Sequence, residues 1–346
     1  MAVTQKWRRS SWLTEPEVTL REPKSWHLGM LHTQAHALVA GKVLADIADH
    51  DDRIVVLTAD MSLSNRTVEF AQRHPDRYLN VGIAEKNMVS VAAGLAASGA
   101  IPYVGAFASF LALLCCENIR TDLAYPNLPV RLLSHHAGMS LGYYGTSHHA
   151  TEDIGIIRSM ANIMIVCPAD AYSLEQSLRQ TVNIAGPIYF RIGRGREEDV
   201  YRPGDNWEFG KISVLRDGKD CLILSNGIMV AAALHAAEVL AKEGITASVV
   251  DLHTLRPLDS GKLISLIERY DTVFVAEEHN TIGGVASLVA DAMIDARTTD
   301  VRLIRIGVPS DQYAIVGPPY YLYKHYGLDA AGVADRVRKT LRRKES

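Results

Sequence analysis

The chain has 346 residues, with 36 Lys and Arg against 39 Asp and Glu, a net charge of −3, 48% hydrophobic and 22% charged residues. At about 100 to 200 residues per domain this length predicts two domains, and the composition excludes disordered, collagenous and low-complexity scaffolds. Neither sign of charge is gathered into a stripe or tail, which argues against binding a nucleic-acid backbone.

Residues 1–33 carry Lys6, Arg8, Arg9, Glu15, Glu17, Arg21 and Glu22 with three tryptophans and no apolar run. No secretory signal is expected there, and the segment reads as an extension that docks on a partner or on its own domain. Short apolar runs at 54–58, 77–81, 101–104, 130–134, 163–167 and 188–192 predict buried strands, with helical patterns between most of them. This alternation marks a parallel sheet with helices on both faces, whose active site lies beyond the carboxyl ends of the strands. The charge-free stretch 87–116 is long enough to span a bilayer. Gly94, Gly99, Pro102 and Gly105 divide it as a helix, a turn and a strand would, so a buried helix and strand are expected instead. Cys115, Cys116, Cys167 and Cys221 have neither metal-ligand nor redox-motif spacing, so buried thiols in a reducing cytoplasm are expected.

A polar stretch rich in charge, Gly and Pro, 193–211, reads as a linker. Beyond it strands are predicted at 221–224, 247–250, 272–276 and 302–306, and helices at 229–242, 260–269 and 284–295. The fold class expected is α/β, with two doubly wound domains, each a mostly parallel sheet flanked by helices. The domains are placed at 34–195 and 213–346, joined by a linker over 196–212. Gly283-Gly284 is a candidate anion-binding helix start, although tight packing is the simpler reason for the pair.

Three segments carry candidate chemistry. In Asn80-Val81-Gly82-Ile83-Ala84-Glu85 a strand ends in glycine and a helix follows with Glu85 in its first turn, where an acid alone complements the helix dipole. Phe107 and Phe110 are spaced to share one face, which packs against core or against a flat heterocycle. Ser134-His135-His136-Ala137-Gly138 closes a strand and is followed by Gly142-Tyr143-Tyr144-Gly145-Thr146-Ser147-His148-His149. Closed metal sites rarely use histidine alone, and no Cys or HExxH helix accompanies these four. Histidines in such loops suit proton transfer or hydrogen bonding to a polar substrate.

Together with Asp60-Met61-Ser62-Leu63-Ser64-Asn65, Pro168-Ala169-Asp170 and Tyr189-Phe190-Arg191, these segments resemble the transketolase family of thiamine diphosphate enzymes, in its pyrimidine-binding and C-terminal domains. The resemblance implies that Glu85 hydrogen-bonds the aminopyrimidine ring of the cofactor and that Phe107 and Phe110 pack around that ring. It implies that His136 and His148 act at the substrate, and that Ser64, Tyr144 and Arg191 contact the donor or acceptor sugar. Two departures leave the sugar open. Tyr143 and Tyr144 stand where the family has an acidic pair, and Ala37, beside His36, stands where it has a phosphate-gripping arginine.

The chain contains no Gly-Asp-Gly motif, which in the family holds magnesium, and Asp217-Gly218 reads as a hairpin turn. The expectation is therefore the C-terminal subunit of a split transketolase, moving a two-carbon ketol unit from a ketose to an aldose. An N-terminal diphosphate-binding subunit would supply the ligands for Mg²⁺, in a dimer or heterotetramer located in the cytoplasm. The alternatives are the beta subunit of a 2-oxo-acid dehydrogenase decarboxylating component, or a catalytically silent binding subunit.

Overall fold

The computed structural model describes residues 36–194 and 197–342; the expected extension over 1–33 lies outside the described residues, as do the side chains of His36, Ala37 and Leu38. In chain order the first part comprises α1 (His36–Ala48), β1 (Ile54–Thr58), α2 (Val68–Arg73), β2 (Tyr78–Asn80), α3 (Glu85–Ala97) and β3 (Ile101–Phe107). Then come α4 (Cys116–Asn118), set between π-helical turns Phe110–Leu114 and Ile119–Ala124, followed by β4 (Arg131–His135), α5 (Asp153–Arg158), β5 (Met164–Val166), α6 (Ala171–Thr181) and β6 (Ile188–Arg191). The second part comprises β7 (Ser213–Arg216), β8 (Cys221–Ser225), α7 (Met229–Ala241), β9 (Ala247–Asp251), β10 (Thr254–Arg256), α8 (Ser260–Ile267), β11 (Thr272–Asn280), α9 (Val285–Asp295), β12 (Arg302–Val308), α10 (Pro319–His325) and α11 (Ala330–Arg342).

The strands form a seven-stranded sheet in the order β10-β5-β6-β4-β3-β1-β2 and a five-stranded sheet in the order β12-β11-β8-β9-β7. Every pairing is parallel except β10 with β5 and β7 with β9. Both faces of the first sheet are covered. Met88, Val89 and Ala92 of α3 share a buried cluster with Leu57, Val104 and Leu132. On the opposite face Val43 and Leu44 of α1 and Leu174 and Leu178 of α6 cluster with Val56, Tyr103 and Phe190. Fully burying such a side chain contributes about 1.5–3 kcal/mol. Helix α6 starts where Asp170 accepts from the Ser173 amide and Ser173 returns the bond to the Asp170 amide, a capping box that fixes its first turn.

Three expectations change. Strand β10, which follows β9, leaves its neighbours and completes the first sheet, pairing Thr254 with Val166. The stretch read as linker is packed rather than loose: Tyr201 and Trp207 are buried, and the Asp170 carboxylate accepts from the amides of Val200 and Tyr201. Asp217-Gly218 is no hairpin, because β7 pairs with β9 rather than with β8. The tight-packing reading of Gly283-Gly284 holds: a Cβ on Gly284 would overlap the Glu277 carboxyl, which accepts from the amides of Val285 and Ala286 at the start of α9. Among the described residues no helix is long and apolar enough to cross a membrane; the stretch 87–116 runs through α3 and β3. Cys115, Cys167 and Cys221 are buried, and burial pushes each thiol up to about 12.

Candidate active site

The parallel order of β6, β4, β3, β1 and β2 sets the carboxyl ends of five strands along one edge, and the turns that leave this edge carry most of the residues singled out from the sequence. Gly82, at φ +76°, turns the chain out of β2, and its amide donates to Asn80 Oδ1. Glu85 follows as the first residue of α3 and is buried at 6% exposure. Its charge adds to burial in raising the Cys115 thiol, which places the carboxylate near the end of the π-helical turn begun by Phe110.

Phe107 ends β3 and Phe110 opens that turn; both are half-buried, with ring centroids 5.3 Å apart. The two rings form one wall with two histidines. His136 meets the edge of Phe107 at 4.7 Å, while His148 lies 5.7 Å from Phe107 and 5.3 Å from Phe110. Tyr144 sits over His148 at 4.7 Å. The loop bearing Tyr144 is a 3-10 segment, Gly142–Ser147, kinked at Gly145 with φ +70°. A Cβ on Gly142 would collide with the Gly317 carbonyl, so this loop depends on glycine for its approach to the segment before α10.

His136 has φ +59°, a left-handed conformation that costs a residue other than glycine about 1–2 kcal/mol. It persists because the neighbouring amides are held: those of His136 and Ala137 donate to the carbonyls of Gly193 and Ile192, and that of Ala150 to Gly138. Burial lowers the His136 pKa to about 4, helped by the positive charge of Arg194. Burial also lowers that of His148. Both rings are therefore neutral near pH 7, each with one nitrogen to donate and one to accept.

The remaining sequence candidates fall elsewhere. Ser64 is half-buried in the turn between β1 and α2. Arg191 does stand at the end of β6, but its guanidinium points into the protein. At 4% exposure it donates through Nε to Asp153 at 2.8 Å, and through Nη2 to the carbonyls of Ala150 at 3.1 Å and Glu278 at 2.8 Å. A cation so enclosed serves a structural ion pair, and this geometry does not offer it to a sugar. Arg194, three residues on, was not singled out; it contacts the Ser140 carbonyl and its charge is felt at His136. The only sequence signal was a second arginine after the same strand.

An aminopyrimidine fits this edge: a buried carboxylate, a half-buried pair of aromatic rings and the buried His136 Nδ1, which has no hydrogen-bond partner of its own. Such an orphaned buried nitrogen calls for a ligand or a water. Among the described residues no group of three or more His, Cys, Asp or Glu side chains is gathered to hold a metal ion.

The transketolase pyrimidine-binding domain matches residues 33–197, and the transketolase C-terminal domain matches residues 210–333. A 6-deoxy-6-sulfo-D-fructose transketolase subunit of a Clostridium species is 35% identical, over 87% of this chain and 93% of its own. The 1-deoxy-D-xylulose-5-phosphate synthase of Syntrophotalea carbinolica is 36% identical over 87% of this chain, but the match covers 47% of that longer enzyme. Among solved structures, a split-gene transketolase in the form of an inactive beta4 tetramer superposes with a TM-score of 0.79 at 38% identity, covering 89% of this chain and 98% of that one. The chain belongs to the transketolase family, of which it carries the pyrimidine-binding and C-terminal domains.

Proposed function

We propose that this chain is the C-terminal subunit of a two-chain, cytoplasmic transketolase, and that it transfers a two-carbon ketol unit once a diphosphate-binding subunit completes the site. The observation that carries this reading is the convergence of Glu85, Phe107, Phe110, His136 and His148 on one sheet edge. When bound, thiamine diphosphate supplies the electron sink that lets a carbon–carbon bond beside a carbonyl break and re-form. The Glu85 carboxylate would hydrogen-bond the pyrimidine ring of that cofactor, and burial of the carboxylate would strengthen the bond. Phe107 and Phe110 wall the ring and exclude water. His136, whose buried Nδ1 has no hydrogen-bond partner, and His148, both neutral, would donate to or accept from sugar oxygens and move a proton there. Arg194, whose charge is felt at His136, is a guanidinium at this edge that would meet an anionic substituent of the sugar.

Magnesium and the diphosphate are assigned to the partner subunit. This chain has no Gly-Asp-Gly, and the exposed Leu63, Ile83, Leu113 and Leu114 on elements flanking the site offer the apolar surface that a subunit contact covers. Relatives that exist as separate subunits, and the inactivity of the beta4 tetramer, support the same division. The free thiols support a reducing compartment. The test is reconstitution with the diphosphate-binding subunit, thiamine diphosphate and Mg²⁺. Transfer of a ketol unit between a ketose and an aldose is expected. Release of carbon dioxide from a 2-oxo acid would move the chain to the dehydrogenase reading, and turnover by the chain alone would end the two-chain reading.

A further inference from the structure

The loop that presents His136 is held from one side by its own sheet and from the other by the second sheet. Glu278, at the carboxyl end of β11, reaches across with Oε1 to accept the Met139 amide at 2.6 Å and the hydroxyl of Tyr323 from α10. Its Oε2 faces Arg191 Nη1 at 3.9 Å, and its own carbonyl accepts from Arg191 Nη2. Gly138, at φ +61°, has no room for a side chain, because a Cβ there would overlap the Glu278 carboxylate. The same Arg191 takes the Ala150 carbonyl at the end of the His148 loop. Glu278 is 2% exposed, and these are the groups around it among the described residues.

We infer that Glu278 is a positioning residue for ketol transfer: from the second sheet it fixes the left-handed turn His136-Ala137-Gly138-Met139 and so aims the His136 ring. The inference rests on the reading that His136 acts at the substrate. The charged form of Glu278 makes the hold, because a carboxylate accepts from both Met139 and Tyr323 while facing Arg191. A protonated carboxyl would turn a hydrogen toward that guanidinium or toward a donor. The groups facing it are Arg191, Tyr323 and the Met139 amide, with Asp153 beside them, and burial raises its pKa to about 7. Turnover should accordingly rise as Glu278 ionises near neutrality.

The experiment compares wild type, Glu278→Gln and Tyr323→Phe, each reconstituted with the diphosphate-binding subunit, in kcat and KM profiles from about pH 5.5 to about pH 8.5. Glu278→Gln should lower kcat by roughly ten-fold or more, change KM little, and abolish the acid limb near neutrality. Tyr323→Phe removes a bond that favours the charged carboxylate, so its limb should move to higher pH with a smaller loss of kcat. It alters only one hydroxyl, and decides the matter if Glu278→Gln does not fold. Wild-type kcat and an unmoved limb in Glu278→Gln, or an unmoved limb in Tyr323→Phe, would overturn the inference.

Failure of the functional reading is distinguishable, because it shows as an inactive wild-type complex. In that event the [¹³C]methyl signal of Met139 and the ring signal of His136 decide. Both should shift in Glu278→Gln, and signals that stay in place refute the hold.

Discussion

Replacing Arg191 with methionine separates a structural arginine from a substrate clamp. Methionine matches the aliphatic stem but removes the Nε bond to Asp153, the two bonds from Nη2 and the cation facing Glu278. Asp153 and Glu278, 0% and 2% exposed, then share a buried region without a counter-charge. Removing one partner of a buried pair costs about 3–5 kcal/mol. At about 2 °C per kcal/mol for a chain of this length, Tm should fall by roughly 6 to 10 °C. The loss should also depend on pH. Burial already raises Glu278 to about 7, and loss of Arg191 raises it further. A carboxyl whose folded pKa lies above its unfolded value binds more protons when folded, so stability declines as pH rises through that interval. The deficit should therefore be larger at about pH 8 than at about pH 6. Thermal unfolding of the full chain at both values, with KM for a phosphorylated ketose in the reconstituted enzyme, is the assay. An unchanged Tm with KM raised ten-fold or more would return Arg191 to the sugar and refute the structural account.

Glu85→Ala should lower kcat by at least 10² to 10⁴, the usual worth of acid–base assistance, with Tm close to wild type; an enzyme keeping more than about a tenth of its activity removes the role. Tyr144→Asp should raise the His148 pKa, because a carboxylate favours the charged imidazole, and should improve kcat/KM on a pentose phosphate; a wild-type enzyme already efficient on that sugar shows that another group does this work. Calorimetry on the isolated chain with thiamine diphosphate and Mg²⁺ should show no tight binding, since the diphosphate needs a cation with oxygen ligands, and micromolar binding with turnover would contradict the division of the site.

The strands were legible because burial on both faces writes itself as a continuous apolar run. The run 54–58 coincides with β1, and 188–192 differs from β6 by one residue. Where the prediction stopped short, the reason is a partner distant in sequence. The predicted strand 272–276 continues to Asn280, because Glu277, Glu278 and His279 are buried strand residues. Their polarity reads as a strand end, yet Glu277 is satisfied by the first amides of α9 and Glu278 by Met139, Tyr323 and Arg191. Strand β10 is three residues long and pairs with a strand about ninety positions earlier, so no local pattern announces it. Arg191 shows the same limit: an arginine at a strand end looks the same in the sequence whether it faces a ligand or, as here, an aspartate 38 residues upstream.

The residues that the sequence exposed most clearly are those proposed to meet a cofactor and a substrate. Phe107, Phe110, His136 and His148 come from three separate segments, and the parallel topology alone brings their rings within 6 Å of one another in successive pairs. Their types and their glycine-rich loops remain informative because, on the proposed reading, they meet a ligand rather than a distant part of the chain. Glu278 is the opposite case: every group it serves is internal, so its purpose appears only when β11 is set beside the loop after β4. On the proposed reading the second sheet acquires a role in catalysis without touching the substrate. The left-handed turn at His136 would relax if Met139 lost its acceptor, and the acceptor stands on the far sheet. A change confined to α10, such as loss of the Tyr323 hydroxyl, must then be felt at the His136 ring, one residue beyond β4.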